Sequence, residues 1–273
     1  MIIAEFCQNH RGNLTVLRDM VEQAAKAGAK FAKIQTFFAD DLKNDWMDKY
    51  DHYKLMELDW DAHEKFLLWC RSYGITPMTS VYSPKYLSQL KQIGFEYIKI
   101  GSADAYNEHL IRLAGVHGLK AFISTGGQSE KDIPQGFNFV EAYFHCVSKY
   151  PAHYSDANLS RFIRMKEVFP KYKIGFSDHT DPVGEFGDMP AMVASALGAA
   201  YIEKHFTILD RSLTKDGPVS ISPIQLKTLC NFHNRTEEYK LNMIPHIPIT
   251  MFKETLDQGQ KDLIRKYQTR WKG

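Results

Sequence analysis

The chain has 273 residues, of which 44% are hydrophobic, 13% aromatic and 24% charged. This is the composition of a globular protein with a large core, and it excludes disordered, collagen-like and low-complexity classes. The 34 lysines and arginines nearly balance the 32 aspartates and glutamates, giving a formal net charge of +2. We therefore expect no nucleic-acid partner, because no bulk positive field would attract one.

The apolar runs and the cysteines predict the compartment. No apolar run reaches the ~18 residues that span a bilayer, and Glu5 interrupts the N-terminal run too early for a signal peptide. Cys7, Cys70, Cys146 and Cys230 form no C-x-x-C pair, so neither a disulfide framework nor a zinc ribbon is indicated. We expect a cytoplasmic protein with no membrane partner.

Short apolar runs alternate with amphipathic stretches of roughly 10 to 16 residues, which is the pattern of repeated strand and helix units. The predicted strands, in chain order, are Ile2–Phe6, Lys30–Thr36, Ile75–Ser80, Phe95–Ile100, Leu119–Ser124, Phe139–His145, Tyr172–Phe176 and Ala200–His205. Eight strands with eight crossovers predict an α/β fold of the (β/α)8 TIM barrel type, with a doubly wound parallel sheet as the alternative. We place the barrel at residues 1–243 and a C-terminal extension, a loop and a helix, at residues 244–273.

Polar residues accumulate where the predicted strands end. Strand by strand they are Glu5, Asn9 and His10; Lys33, Gln35 and Thr36; Thr79 and Ser80; Lys99, Ser102 and Asp104; Ser124 and Thr125; His145; Ser177, Asp178, His179 and Thr180; and Glu203, Lys204 and His205. A barrel of this type carries its active site at the carboxyl ends of the strands. We therefore predict the functional site at this end.

Lys33 and Lys99 each interrupt an otherwise apolar strand. Period-two alternation puts Lys33 and Gln35 on one strand face, and in a closed barrel this face is the lumen, where a cation needs an anion. The lysines and the neighbouring strand-end serines could hold a phosphate or a carboxylate, and Gly101 and Gly126 would let that anion approach backbone N–H groups. The alternative is a rim lysine whose ammonium group stays in water.

His179 and His205 follow the last two predicted strands, beside the acidic residues Asp178 and Glu203. They could bind a divalent metal, or they could be hydrogen-bonded structural histidines. A lysine Schiff-base aldolase is a further alternative, since a desolvated lysine can act as a nucleophile, but it would leave the histidines without a role. A serine hydrolase is a weaker hypothesis because no G-x-S-x-G elbow occurs.

Seven motifs occur in a specific order and spacing. They are Glu5 with Asn9-His10-Arg11-Gly12, Lys33-Ile34-Gln35-Thr36, Lys99-Ile100-Gly101-Ser102, Ser124-Thr125-Gly126, His145-Cys146 with Tyr150-Pro151, Gly175-Phe176-Ser177-Asp178-His179-Thr180, and Ile202-Glu203-Lys204-His205-Phe206-Thr207. Through them the chain resembles the sialic acid (N-acetylneuraminate) synthase family from residue 1 to about residue 235.

The resemblance implies a barrel that condenses phosphoenolpyruvate with an open-chain sugar aldehyde similar to N-acetylmannosamine. Phosphate leaves by C–O cleavage, and the product is a 3-deoxy-2-ulosonic (sialic or nonulosonic) acid for a surface polysaccharide. It further implies Mn²⁺, with Mg²⁺, Co²⁺, Fe²⁺ and Zn²⁺ as alternatives, and a homodimer or larger oligomer.

The resemblance also implies a role for each site residue. Catalytic roles fall to Glu5, Lys99, Asp104 and His179; substrate binding to Lys33, Gln35, Ser80, Lys99, Ser102, Ser124, Ser148, Tyr150 and Ser177; and metal binding to Cys7, His179, Glu203, His205 and Asp216.

The first departure from the family pattern concerns a role in proton transfer or metal contact, and the second concerns the acceptor sugar. Asp104 stands where the family has a glutamate, and Ser148 stands where it has an asparagine. The family also carries an antifreeze-like domain that supplies an arginine to the substrate's N-acetyl group in a partner's site, whereas this sequence continues only as a short basic extension. We expect either a separate antifreeze-like partner protein or a substrate that needs no such contact.

A third departure concerns the metal. Cys7, His179, Glu203 and the aspartate of Asp216-Gly217-Pro218 resemble the metal ligands of octulosonate phosphate synthases, and Val219 stands where a substrate-binding aspartate is expected. We interpret the site as a hybrid; otherwise Cys7 only packs and Asp216 caps a turn. The alternative functions are an octulosonate-type synthase acting on a non-acetylated aldose and a non-catalytic barrel subunit of a biosynthetic complex.

An aromatic-rich stretch follows the second predicted strand. It contains Trp46, Tyr50, Tyr53 and Trp60. We interpret it as a lid or an interface, with an ordinary packed loop as the alternative.

Overall fold

The computed structural model describes residues 1–243, 247–253, 258–268 and 270–271. Its strands are β1 (Ile2–Glu5), β2 (Phe31–Thr36), β3 (Thr76–Val81), β4 (Tyr97–Ile100), β5 (Lys120–Ser124), β6 (Val140–Cys146), β7 (Lys173–Asp178), β8 (Tyr201–Phe206) and β9 (Ser220–Ile221). Its helices are α1 (Leu14–Ala27), α2 (Tyr50–Met56), α3 (Trp60–Tyr73), α4 (Leu87–Ile93), α5 (Glu108–Val116), α6 (Leu159–Val168), α7 (Met189–Ala196), α8 (Pro223–His233), α9 (Glu237–Asn242) and α10 (Gln258–Gln268). The expected start of the extension at residue 244 and its end at residues 272–273 lie outside the described residues.

Strands β1 to β8 form a closed parallel barrel, because β1 pairs with both β2 and β8. The predicted (β/α)8 TIM barrel is therefore confirmed, and each predicted strand is present with its bounds shifted by at most two residues. Two details differ from expectation. Strand β9 adds a short parallel pairing to β8, and the connection from β5 to β6 holds a 3₁₀ turn at Glu130–Asp132 instead of a helix.

Local sequence determines where the covering helices begin and end, as α1 illustrates. The side chain of Asn13 accepts hydrogen bonds from the N–H groups of Thr15 and Val16, which caps the amino end of the helix. Gly28 ends the helix with a left-handed φ of 95°, a conformation that glycine adopts without strain. The buried face of α1 packs on the outside of the barrel.

The barrel interior changes from apolar to polar along the strands. Near the amino ends, an apolar cluster fills the lumen; it comprises Ile3, Phe31, Met78, Phe122, Ala142, Phe144 and Tyr201. Two residues further along their strands, on the same inward face, follow Glu5, Lys33, Ser80, Ser124 and Glu203. The apolar cluster thus forms the floor of a polar cup that opens at the carboxyl ends.

The C-terminal segment folds back over the open end of this cup. Helix α10 packs against the turn Ser102–Asp104 that follows β4, and Met251 is buried in the main core. Trp271 stacks on Phe37 with a ring-centroid distance of 5.2 Å. The described part of the predicted extension therefore packs onto the barrel.

The aromatic stretch after β2 lies beneath this segment. Trp46 and Tyr53 are buried in one cluster with Phe37 and Trp271, and Trp46 stacks on Tyr267 at 5.7 Å. These rings form a packed platform for the C-terminal segment. None of the described helices has the length and apolarity needed to cross a membrane.

Candidate active site

A cavity of about 540 Å³ opens at the carboxyl ends of the barrel strands. All of the predicted catalytic, substrate-binding and metal-binding residues line it, namely Glu5, Cys7, Lys33, Gln35, Ser80, Lys99, Ser102, Asp104, Ser124, Ser148, Tyr150, Ser177, His179, Glu203, His205 and Asp216. The closed barrel brings these residues together because each occupies an inward position at a strand end or in the loop that follows.

A buried ionic network occupies the base of the cavity. Oε2 of Glu203 lies 2.8 Å from Nζ of Lys99 and 3.1 Å from Nζ of Lys33. Lys33 also forms an ion pair with Glu5, and the Ser177 hydroxyl donates to Oε1 of Glu203 at 2.9 Å. All of these side chains are buried, so their charges are satisfied by one another instead of by water.

The network shifts the pKa values of its members. Burial alone would raise the pKa of Glu203, but Lys33 and Lys99 hold it below its usual value. Burial raises the pKa of Glu5 to about 7, against the opposing effect of Lys33. Burial would lower the pKa of Lys33, but Glu203 and Glu5 raise it; the pKa of Lys99 is lowered, mainly by burial. When Glu5 is protonated, the network carries a net positive charge that suits an anionic ligand.

A second group of side chains has the composition of a metal site. Ligand atoms of Cys7, His205 and Asp216 all lie within 4.8 Å of one another. Nδ1 of His205 is buried without a hydrogen-bond partner among the described residues, and burial lowers the pKa of this histidine, which keeps the imidazole in its metal-binding neutral form. Sulfur, nitrogen and carboxylate donors together suit a divalent transition metal. These residues fit the metal that the resemblance implies.

The backbone at Cys7 supports a functional interpretation of this group. Its φ is 46°, in the left-handed region that non-glycine residues seldom adopt, and its N–H group donates to Oε1 of Glu5 at 2.5 Å. Strained residues of this kind cluster at functional sites. Here the strained turn brings the Cys7 side chain next to Asp216 and His205.

The other two predicted ligands, His179 and Glu203, lie outside the three-residue group. Nδ1 of His179 donates to the carbonyl oxygen of Val147 at 2.7 Å, and Nε2 lies 3.2 Å from the Tyr150 hydroxyl. A backbone contact at one ring nitrogen is the usual way in which a metal-binding histidine is oriented. The carboxylate of Glu203 is engaged by lysines, so a metal contact by either residue stays a prediction.

Asp104 and Ser102 stand on one wall of the cavity, in the turn after β4. Burial raises the pKa of Asp104 to about 6, although Arg270 acts in the opposite direction. The Gly126 N–H group, expected to face a bound anion, donates instead to Oγ of Ser102 at 2.9 Å. A Cβ atom at Gly126 would come within 2.6 Å of Oγ of Ser148, so glycine is required for this close packing.

Some strand-end polar residues turn away from the cavity and support the fold. His145 lies between the carbonyl oxygen of Ala157, at 2.8 Å from Nε2, and the guanidinium group of Arg161, at 3.0 Å from Nδ1. Lys204 pairs with Asp178 at 2.9 Å, and both are fully buried. Strand alternation explains this difference, since the neighbours of an inward-facing residue point outward.

Sequence reasoning missed several residues of the cavity wall. They are Gln8, Tyr82, Lys215, Tyr267 and Arg270. The first three lie in loops, where no periodicity indicates direction. The only available signal for the last two was the aromatic and basic run from Tyr267 to Trp271, which ends far from any motif.

Comparison with known proteins gives a consistent result. The NeuB family model matches residues 20–243. The chain is 30% identical to an N,N'-diacetyllegionaminic acid synthase of Campylobacter jejuni over 254 residues, covering 84% of this chain and 74% of the relative. It is 28% identical to an N-acetylneuraminate-9-phosphate synthase of Drosophila melanogaster over 273 residues, covering 93% and 71%. The crystal structure of an N-acetylneuraminic acid synthetase from Leptospira borgpetersenii in complex with citrate superimposes with a TM-score of 0.79 at 27% identity, covering 97% and 90%.

Proposed function

This chain belongs to the NeuB family and is a transferase that condenses phosphoenolpyruvate with a sugar to give a nonulosonic acid; we propose that the sugar is an open-chain aldehyde similar to N-acetylmannosamine. The observation that supports condensation of phosphoenolpyruvate with an aldehyde is the paired arrangement of Lys33 and Lys99 around one carboxylate, in the same cavity as the Cys7, His205 and Asp216 group. The first can hold an anionic enol phosphate, and the second can hold a metal next to it.

The reaction forms one carbon–carbon bond and breaks one carbon–oxygen bond. C3 of phosphoenolpyruvate attacks the aldehyde carbon, which leaves C2 electron-deficient. A water molecule adds to C2, the bond from C2 to the bridging oxygen breaks, and inorganic phosphate leaves with that oxygen. The aldehyde oxygen gains the proton that the water loses as it adds to C2. The new C2 hydroxyl group then gives its own proton to the leaving phosphate as the C2 carbonyl forms, so both protons of the water are accounted for.

Lys33 and Lys99 bind the phosphate and carboxylate groups of phosphoenolpyruvate in this proposal. Both ammonium groups are within 3.1 Å of Glu203, and charge-assisted hydrogen bonds to a second anion would replace part of that pairing. The hydroxyl groups of Ser80, Ser102 and Ser177 line the same cavity and add neutral donors. Positive charge at this point also stabilises the phosphate as it leaves.

A divalent ion, Mn²⁺ in this proposal, would be held by Cys7, His205 and Asp216 and would supply Lewis-acid polarisation of the aldehyde oxygen. Asp104 is the proposed proton acceptor for the water that adds to C2, because its pKa of about 6 lets it exchange a proton near neutral pH. Gln35 and Tyr150 line the cavity and are the proposed contacts to sugar hydroxyl groups.

The same cavity supports one alternative acceptor. The proximity of Cys7, His205 and Asp216 favours the hypothesis of a metal shell like that of the octulosonate enzymes, which would accompany a non-acetylated aldose. The relatives are named for both phosphorylated and unphosphorylated products, so membership of the family leaves phosphorylation of the acceptor undecided.

The test is phosphate release from phosphoenolpyruvate by the metal-reconstituted protein. The acceptor panel contains N-acetylmannosamine, its 6-phosphate, a diacetamido hexose, arabinose and arabinose 5-phosphate. We expect release that requires an acetamido sugar and Mn²⁺. Release with arabinose 5-phosphate alone would favour the octulosonate-type alternative. The absence of phosphate release with every acceptor would contradict the proposal.

An isotope label tests the bond that breaks. Phosphoenolpyruvate carrying ¹⁸O at the bridging position is turned over, and the released phosphate is analysed by mass spectrometry. C–O cleavage places the label in phosphate. Label retained in the organic product would contradict the proposed water attack on C2.

A further inference from the structure

Arg270 reaches the cavity from the C-terminal segment, and the backbone holds it there from both sides. The backbone N–H group of Arg270 donates to the carbonyl oxygen of Tyr267 at 3.2 Å, and the backbone N–H group of Lys43 donates to the carbonyl oxygen of Arg270 at 3.0 Å. The next residue, Trp271, forms an antiparallel bridge with Leu42. The arginine is therefore fixed at the cavity wall by contacts to the loop after β2.

Aromatic rings surround the guanidinium group. Its central carbon lies 4.8 Å from the ring centroid of Tyr267, 4.9 Å from Tyr82, 5.0 Å from Trp271 and 5.7 Å from Tyr53. The rings replace water around the charge on several sides and contribute cation–π attraction. They also restrict the side chain, so that binding a ligand would require little further ordering.

Among the residues that the structure describes, few use the hydrogen-bonding capacity of this group. One terminal nitrogen donates to the Tyr53 hydroxyl at 3.2 Å, whereas the Nε atom is buried with no partner among the described residues. No described carboxylate forms an ion pair with Arg270; the nearby acid, Asp104, has a pKa raised to about 6. Arg270 as a whole is half-buried, and its Nε atom is inaccessible to solvent. A cation withdrawn from water in this way normally has an anionic partner, so this one is poised for an anion that binds from the cavity.

A second cation stands close by. The Nζ atom of Lys215 lies 6.0 Å from the ring centroid of Tyr53, and Lys215 lines the same cavity as Arg270. The two positive side chains thus both lie near the ring of Tyr53 and both line the cavity. Neither takes part in the ionic network of Lys33, Lys99 and Glu203, which leaves them available for a different anion.

We propose that Arg270 binds a phosphate ester on the acceptor sugar, at the end remote from the aldehyde, and so selects a phosphorylated acceptor. The planar guanidinium fork matches phosphate oxygens bidentately. A neutral acyl or hydroxyl oxygen would leave the guanidinium charge without an anionic partner. This inference rests on the proposed function for the identity of the ligand as an acceptor sugar, but the anion site itself is defined by residues outside the lysine network.

The experiment compares Arg270→Met and Arg270→Lys with a matched control, Arg265→Met. Arg265 lies on α10 with its side chain 72% exposed. Initial rates are measured with N-acetylmannosamine against its 6-phosphate and with arabinose against its 5-phosphate. We expect the phosphorylated member of the active pair to be preferred by the wild type. Arg270→Met should raise the KM for the phosphorylated sugar by about 10- to 100-fold, the range for loss of a charge-assisted contact. The KM for phosphoenolpyruvate should be nearly unchanged.

Arg270→Lys should fall between the wild type and Arg270→Met, and Arg265→Met should behave as the wild type. The proposal is overturned if Arg270→Met leaves the KM for the phosphorylated sugar unchanged, or raises KM equally for both members of a pair. Thermal unfolding of each variant shows whether the C-terminal segment is still packed, and Arg270→Lys keeps the test valid if Arg270→Met does not fold.

Calorimetric binding separates this inference from the proposed function. The two sugar phosphates and inorganic phosphate are titrated into the wild type and into Arg270→Met in the absence of phosphoenolpyruvate. If no sugar supports turnover but a sugar phosphate binds only when Arg270 is present, the proposed function fails and the anion site stands. Equal binding by both proteins overturns the anion site.

Discussion

Glu203 and Lys99 form an ion pair deep in the barrel lumen, with Oε2 of the glutamate 2.8 Å from Nζ of the lysine. The same oxygen is 3.1 Å from Nζ of Lys33, so one carboxylate compensates two cations that are buried with it. An incoming anionic substrate competes with this carboxylate for the same donors. Glu203 thus holds the lysines charged and in place before the substrate binds.

Glu203→Gln should destabilise the protein, because it leaves Lys33 and Lys99 without their shared anion. Breaking a buried ion pair in this way lowers the free energy of unfolding by about 3–5 kcal/mol. Phosphoenolpyruvate or inorganic phosphate should restore part of the loss by supplying a replacement anion, and this is measured as a larger ligand-induced rise in Tm than in the wild type.

The matched control for this variant is Glu141→Gln, which removes the partly exposed ion pair with Lys173. Exposed pairs contribute about 1 kcal/mol or less, and no ligand dependence is expected. Equal losses of stability for the two variants, or no added ligand effect in Glu203→Gln, would contradict the role assigned to Glu203.

Cys7→Ser and Asp216→Asn should each weaken metal binding by at least about 10-fold, since each removes one donor from the group with His205. Bound metal is measured by elemental analysis after dialysis against graded chelator, together with the rate of phosphate release. The control is Cys146→Ser, because Cys146 lines the same cavity but lies outside the group. Unchanged metal content and activity in Cys7→Ser would disprove the thiolate ligand.

The effect of Asp104→Asn on stability should depend on pH. Burial raises the pKa of Asp104 from 3.8 to about 6 in the folded protein, so the folded state holds this proton more tightly than the unfolded state does. The stability of the wild type is therefore reduced progressively as pH rises from about 4 to about 6, and the reduction is constant above this range.

Asparagine removes this titration, so Asp104→Asn should be more stable than the wild type by about 3 kcal/mol at pH 7, with a much smaller difference at pH 4. Unfolding is followed by circular dichroism at both pH values, and phosphate release is assayed in parallel. We expect a loss of activity together with the gain in stability. A stability difference that is the same at pH 4 and pH 7 would show that burial does not set this pKa.

Lys204→Met should lower stability without changing the affinity for phosphoenolpyruvate. Lys204 is fully buried against Asp178, at 2.9 Å, on the outward face of β8, so its loss leaves a buried carboxylate unpaired at a cost of about 3–5 kcal/mol. The double variant Lys204→Met/Asp178→Asn should recover much of this loss. A large increase in KM for phosphoenolpyruvate in the double variant would place Lys204 in the site after all.

Much of this site was predictable from sequence because strand alternation is a local property. Lys33 and Gln35 alternate with apolar neighbours. Because a TIM barrel carries its active site at the carboxyl ends of its strands, this alternation places both residues at that opening of the lumen. The same rule separates Glu203 and His205, which face inward, from Lys204, which faces outward. Composition and alternation were sufficient for the fold, and the order of the motifs was sufficient for the family.

Only the tertiary structure decided which charges pair and what covers the site. The joint pairing of Glu203 with Lys33 and Lys99 depends on how the closed barrel brings three distant strands to one level, and the meeting of Cys7 with Asp216 depends on two loop conformations. The position of Arg270 depends on packing between C-terminal rings and the loop after β2. Such contacts have no sequence periodicity, since they are set by the shapes of surfaces that exist only once the barrel has closed.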